Sequence, residues 1–199
     1  MKKVRIAVLV SGGGTNLQAI LDKEGSVIRS GEVVLVISNK ENAYALDRAK
    51  KANIKTAVIT KKAYGADFEK KLIETLEEND IELIVLAGFM SILSEAFTSR
   101  YERRILNIHP SLIPSFCGEG FYGLRVHEEA LRKGVKVTGA TVHFVNEIPD
   151  GGEIIAQKAV SVQDGDTPEI LQRRVMEEAE WVIFPEAIEK VSGEIRNKQ

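Results

Sequence analysis

The stretch VRIAVLVSGGGTNLQAI, residues 4–20, decides how the chain is read. An apolar, β-branched run, Val4–Val10, meets three glycines and then a segment of helical character. A strand, a glycine turn and a helix in that order open a strand–helix–strand unit. The run is apolar on both faces, and so are VVLVI at 33–37 and LIVLA at 83–87. Strands covered on both faces are those of a parallel sheet held between two layers of helix.

The same alternation continues outward from that stretch. Helices are expected from Asn16 to about Ser30 and over Ala43–Ala52, Ala66–Asn79 and Ser94–Glu102. Strands are expected at Val33–Ser38, Thr56–Thr60, Leu83–Ala87 and Ile105–His109. After His109 the rhythm changes. Residues 110–126, PSLIPSFCGEGFYGLRV, read as a Pro/Gly/aromatic loop, and a short helix follows over His127–Lys133. Two further runs, Lys136–Asn146 and Glu153–Val162, are joined through the turn IPDGG and read as an antiparallel pair on the sheet. A long helix closes the chain from Thr167 to Ser192, with Thr167 as N-cap and Pro168 in its first turn. No repeat or linker interrupts this order, so a single α/β domain is expected.

Composition narrows the function. The 199 residues carry 27 basic and 29 acidic side chains, a net charge of −2, with 44% hydrophobic content. That balance points away from nucleic-acid and anionic-membrane surfaces and leaves room for a local basic pocket. One cysteine, Cys117, rules out an internal disulfide and a cysteine-based zinc cluster. The apolar core of the amino terminus, Ile6–Val10, is too short for a secretory leader. No apolar run approaches the length of a membrane span. The expectation is a soluble, cytoplasmic protein.

Several motifs carry chemistry. SGGGTNLQAI, residues 11–20, sits where glycines let a backbone approach an anion at a helix start. It lacks the third small residue of a dinucleotide fingerprint and the Gly-Lys-Ser/Thr of a P-loop. It is either a phosphate cradle or a tight turn capped by Thr15 or Asn16. NIHPSLIP, residues 107–114, ends an apolar strand on Asn107 and His109, which share one face. They lie at the carboxyl edge of the sheet, where such sheets bind ligands, and histidine titrates near neutrality. Asp150, in EIPDGG, is good turn chemistry and can also face a histidine, raising its pKa. Thr141 and His143 share a face that is either part of the site or solvated. His127 reads as a surface or capping residue. The three histidines have no metal-ligand spacing. Glu177, Glu178 and Glu180 read as a solvated helix face, with Trp181 and Phe184 packed on the core.

Taken together, these segments resemble the glycinamide ribonucleotide (phosphoribosylglycinamide) formyltransferase family of the formyl-folate transferase superfamily. The resemblance rests on SGGGTNLQAI, SNK at 38–40, LAGFMSILS at 86–94, NIHPSLIPSF at 107–116, GATVHFV at 139–145 and IPDGGEII at 148–155. It implies one domain over 1–199 with a mostly parallel, Rossmann-like sheet flanked by helices and an antiparallel C-terminal extension. Residues 1–106 would form the nucleotide-phosphate half and 107–199 the folate-binding and catalytic half. The implied reaction moves the formyl group of 10-formyltetrahydrofolate, a co-substrate, to the primary amine of glycinamide ribonucleotide in purine biosynthesis, without a metal. The implied catalytic trio is Asn107, His109 and Asp150. Gly14, Thr15, Asn16, Glu177, Glu178, Ala179 and Glu180 would contact the nucleotide, with Glu180 at its amine. Met90, Ser91, Ile92, Leu93, Asn107, Asn146, Glu147, Ile148, Pro149 and Asp150 would line the folate. Many members carry Arg where this chain has Ser91, and some a basic residue near Gly65.

On this resemblance the partners are small molecules rather than nucleic acid or membrane, and the chain is a monomer or homodimer. His109, kept protonated by Asp150, and the Asn107 amide would donate to the oxyanion, with Asp150 relaying a proton. Two alternatives stand beside this reading. One is a 10-formyltetrahydrofolate hydrolase with water as nucleophile, a family that usually carries an extra amino-terminal domain. The other is a non-catalytic nucleotide- or folate-binding module. A methionyl-tRNA formyltransferase is disfavoured by the slightly acidic charge and the lack of a carboxy-terminal RNA-binding segment.

Overall fold

The structure is a computed structural model and describes residues 2–198. Among these residues seven strands make one sheet in the order β3-β2-β1-β4-β5-β6-β7. Strands β1 (Val4–Val10), β2 (Gly31–Ser38), β3 (Lys55–Val58), β4 (Leu83–Leu86) and β5 (Ile105–His109) run parallel. Strands β6 (Val137–Phe144) and β7 (Ile154–Ser161) complete the sheet antiparallel, as the sequence predicts.

Alternation along β1 sorts its side chains into two cores. Val4, Ile6, Val8 and Val10 join one cluster with Leu17, Ile20, Phe184 and Ile188. Ala7 and Leu9 join the other with Leu72, Leu76, Phe97 and Ile105. The first cluster is closed by helices α1 (Thr15–Asp22) and α8 (Trp181–Arg196), the second by α4 (Phe68–Glu78) and α5 (Glu95–Arg100). The strand order reverses between β1 and β4, whose carboxyl ends flank the opening where a sheet of this kind takes its ligand.

Two expectations about helices are corrected. Helix α1 ends at Asp22, not Ser30. The chain turns at Gly25, with φ 77°, and Val27 and Ile28 return their amides to the Lys23 carbonyl. The Glu24 carboxylate then accepts from the Val33 amide, so the segment serves as a tether to β2. Helix α6 spans Leu124–Lys133 and begins three residues before the expected start. His127 therefore falls on its inner face with Val126 and Ala130, fully buried rather than at the surface. Among the described residues neither of its ring nitrogens has a hydrogen-bond partner, and burial pulls its pKa down to about 4.

The glycine turn is a tight one. Gly14 is the N-cap of α1 at φ 72° and takes no side-chain cap from Thr15 or Asn16. A Cβ placed there would lie 2.6 Å from the Ala45 Cβ and 2.8 Å from its Cα. Helix α2 (Tyr44–Lys51) is thereby packed directly against the turn, and the Ala45 amide donates to the Gly12 carbonyl.

At the other end of the chain, α7 (Pro168–Val175) starts on Thr167, whose hydroxyl accepts from the Ile170 amide. It passes into α8 through a π-helical turn, Met176–Glu180. This wide turn adds a residue to the helical circuit and brings Glu180 inward, where it is 6% exposed. The Asn16 amide donates to Glu180 Oε2 at 2.7 Å. Burial pushes the Glu180 carboxyl up to about 6, with the Asn16 bond only partly offsetting it.

Two stability measurements test these joints. Gly14→Ala forces a side chain into the left-handed region and into Ala45, and it is expected to lose about 1–3 kcal/mol in urea denaturation. For Glu180, the folded state holds its proton more tightly than the unfolded state between about 4.5 and 6. Its contribution to stability therefore falls as pH rises through that window. Relative to Glu180→Gln, the wild-type chain is expected to gain up to about 2 kcal/mol on going from pH 7.5 to pH 5. Parallel pH curves for the two proteins would remove that coupling.

Candidate functional site

At the carboxyl edge of the sheet, β5 and β6 bring four polar side chains to one face. Asn107 pairs with His143 in register and His109 with Thr141, so both members of each pair point the same way. Thr141 Oγ1 donates to the Ser111 carbonyl at 2.7 Å and accepts from the Ile113 amide at 3.0 Å. That hydroxyl holds the turn after His109 in place. The opposite loop supplies Asp150 at φ 55°, in a turn that needs Gly152, where a Cβ would meet the Phe144 carbonyl at 1.8 Å.

A chain of hydrogen bonds orients Asn107. His143 Nδ1 lies 2.7 Å from the Phe144 carbonyl, so it carries the proton and donates. In the neutral ring Nε2 is then an acceptor, and the Asn107 amide nitrogen sits 3.1 Å from it. The amide is thus fixed with its N–H groups toward the site. Its second N–H is directed toward Asp150 Oδ1 at 3.5 Å, too long to be a strong bond.

Asp150 is the centre of the constellation. Its Oδ2 accepts from the Gly118 amide at 2.9 Å and lies 3.4 Å from His109 Nδ1. Its Oδ1 lies 3.5 Å from His143 Nε2. Burial pushes its carboxyl up, but His143, His109 and the Gly118 amide outweigh this and hold it below the usual carboxylate range. It is an anion at neutral pH.

His109 departs from expectation. Burial lowers its pKa, and the field of Asp150 does not make up the difference. The ring is therefore neutral rather than held protonated. Nε2 donates to the Phe116 carbonyl at 2.8 Å, which leaves the Nδ1 lone pair on the side of Asp150. Cys117 follows Phe116 in the same loop. Its thiol donates to the Pro114 carbonyl, and burial raises its pKa, so it is not a thiolate at neutral pH.

The face opens into two adjoining cavities of about 540 and 1010 Å³. The first is lined by Leu86, Phe89, Leu93, Val145 and Ile148 around Asn107, His143 and Asp150. Ser91, Ile92, Asn146, Glu147 and Pro149 complete its wall. The second takes in Met90, His109 and the 118–123 loop. Apolar walls with a few converging polar groups are the usual make-up of a site for an aromatic small molecule. The segments predicted from the sequence at 90–93 and 146–150 thus meet at one cleft with Asn107 and His109.

The predicted nucleotide set is divided. Gly14, Thr15 and Asn16 form the turn and first residues of α1, and Thr15 Oγ1 lies 3.9 Å from the Met176 sulfur. Ala179 and Glu180 point inward. Glu177 is exposed and ion-paired with Arg173, and Glu178 is exposed. The glycine turn is tied to the cleft, because Ser11 Oγ accepts from the Met90 amide at 2.8 Å.

Three features went unassigned in the sequence: His143 as the group orienting Asn107, the Gly118 amide and the Phe116 carbonyl. His143 could have been found by pairing β5 with β6 in antiparallel register. The two backbone groups lie in a loop with no periodicity to read. Among the described residues no cluster of three or more His, Cys, Asp or Glu could hold a metal ion, and no helix is long and apolar enough to cross a membrane.

Comparison with known proteins agrees with this geometry. A phosphoribosylglycinamide formyltransferase of Haemophilus influenzae is 43% identical over 187 residues, which are 93% of this chain and 84% of that protein. The trifunctional purine biosynthetic protein adenosine-3 of Gallus gallus is 48% identical over 193 residues, 96% of this chain. The chain spans only 19% of the length of that larger relative. The crystal structure of glycinamide ribonucleotide transformylase 1 from Symbiobacterium toebii superposes with a TM-score of 0.89 at 43% identity, over 96% of this chain and 89% of that one. Residues 4–188 match the family described as formyl transferase, and the chain belongs to it.

Proposed function

We propose that this chain moves the formyl group of 10-formyltetrahydrofolate to the primary amine of glycinamide ribonucleotide, a step of purine biosynthesis. The observation that carries the reading is the convergence of Asn107, His109 and Asp150 on one apolar-walled cleft. The names of the relatives support the choice of substrates. Residues 1–106 bring the phosphate turn, and 107–199 bring the reacting groups and most of the folate face. Two segments cross over: Met90–Leu93 on the folate side and Glu180 on the nucleotide side.

The nucleophile is the amine of the substrate, so no serine or cysteine nucleophile is required. An α-amino group has a pKa of about 7.7–8, so a useful fraction is free base at neutral pH. Attack on the formyl carbon develops charge on its oxygen, and the free N–H of Asn107 donates to it. The attacking nitrogen loses a proton to the Nδ1 lone pair of neutral His109. The imidazolium so formed is stabilised by Asp150 beside it and donates to the same oxygen. The proton then passes to the folate nitrogen as the carbon–nitrogen bond to the carrier breaks. His143 keeps Asn107 aimed, and Phe116 keeps the proton of resting His109 on Nε2.

The test mixes purified protein with 10-formyltetrahydrofolate, with and without glycinamide ribonucleotide, and follows release of tetrahydrofolate. Release that needs the nucleotide and is lost in His109→Ala supports the transferase. Release without the nucleotide would indicate the hydrolase, and binding with no release a non-catalytic module. Asn107→Ala is expected to lower kcat about 10²–10³-fold while the protein stays folded. Because His109 titrates below its ordinary value, the acid limb of the kcat profile is expected below about pH 6.5. A limb above that value would mean that the resting ring is charged.

A further inference from the structure

A second, shallower groove of about 780 Å³ lies beside the cleft, over the carboxyl ends of β1, β2 and β3. Lys40 and Lys62 line it from two different loops. Neither ammonium has a carboxylate or hydrogen-bond partner among the described residues. Glu41 is the one acid in the lining, so the groove carries net positive charge. The start of α2 adds to it, since Asn42 and Ala43 line the groove and Ala43 offers no side-chain cap.

The groove is joined to the cleft. Asn39, in its wall, donates from Nδ2 to Ser91 Oγ at 2.8 Å, and Ser91 lines both cavities of the cleft. Ser11, also in its wall, holds the Met90 amide. A molecule seated against Asn107 and Asp150 that extends outward over Ser91 arrives at Lys40 and Lys62. Ser91 itself brings no charge to this exit.

We propose that the groove is the subsite for the acidic tail of the folate, with Lys40 and Lys62 as counter-ions for the carboxylates of one or more glutamyl residues. The proposal rests on reading the cleft as a formyl-folate site. A shallow groove with lysines on flexible stems suits a chain of carboxylates better than a single compact dianion, which favours an enclosed nest of backbone amides. Exposed ion pairs are modest, so each lysine is expected to contribute about two- to fivefold in affinity, weakened by salt.

The experiment is calorimetric titration with three ligands: tetrahydropteroate, which lacks the tail, and tetrahydrofolate with one or three glutamyl residues. The wild-type protein is expected to bind them in rising order of tail charge, with the preference reduced at 0.5 M salt. In Lys40→Gln/Lys62→Gln the preference for the triglutamate over the tail-free ligand is expected to fall about tenfold. A preference left intact in the double variant would overturn the proposal. So would an effect confined to the KM of glycinamide ribonucleotide, which would assign the groove to its phosphate. If the tail-free and tailed ligands bind wild type equally, the tail subsite fails while the cleft reading stands. If none of the three binds, both fail.

Discussion

The site depends on one buried carboxylate. Asp150 is an anion that lies among apolar walls with its side chain 13% exposed. A buried charge is stable only where donors surround it. Here the donors come from three separate places: the Gly118 amide of a glycine-rich loop, Asn107 on β5, and the histidines of β5 and β6. The turn that carries Asp150 accepts a positive φ, and Gly152 lets it press against the end of β6. Satisfying that one charge therefore draws the 118 loop, the 146–152 turn and two strands to a common point. The ring of His109 is left neutral as a result, because the carboxylate already has its donors and the surroundings are dry.

The sheet makes this possible by changing direction. Five parallel strands end their carboxyl edges together, and β6 then returns antiparallel beside β5. A purely parallel neighbour would have begun at the far edge and brought no side chain of its own carboxyl end. The antiparallel return instead pairs Asn107 with His143 directly. The reversal of strand order between β1 and β4 does the rest. It places the glycine turn next to the 88–93 loop, where a single serine hydroxyl, Ser11, joins them.

Most of the fold was legible because the parallel strands are continuous apolar runs with glycines or polar caps at their ends. Val4–Val10 and Ile105–His109 match in both bounds. The misplaced boundaries have local causes. Helix α1 stops early because Gly25 and the tether from Glu24 to Val33 compete with helical continuation. Helix α6 starts early, at a glycine whose side chain gives no cap signal. That shift is also why His127 was taken for a surface residue. At the site, the face shared by Asn107 and His109 could be read from a period of two. The protonation state of His109 could not, because it is set by burial that only the closed cleft produces. The π-helical turn that sends Glu180 inward leaves no mark in a 3.6-residue pattern, where its glutamates look equivalent.

The orientation of Asn107 rests on a partner 36 residues away, and the carboxylate it faces is 43 residues away. Both belong to the outer edge of the sheet, where β7 is largely open to solvent along its length. Edges of this kind are the first part of a protein to open locally, at a cost well below that of global unfolding. A brief parting of β6 from β5 would release His143, free the amide of Asn107 to rotate and strand Asp150, while the five parallel strands stayed folded. Chemical competence in this molecule is thus a property of its least protected edge, and amide exchange along β6 would follow it more closely than any measure of the whole fold.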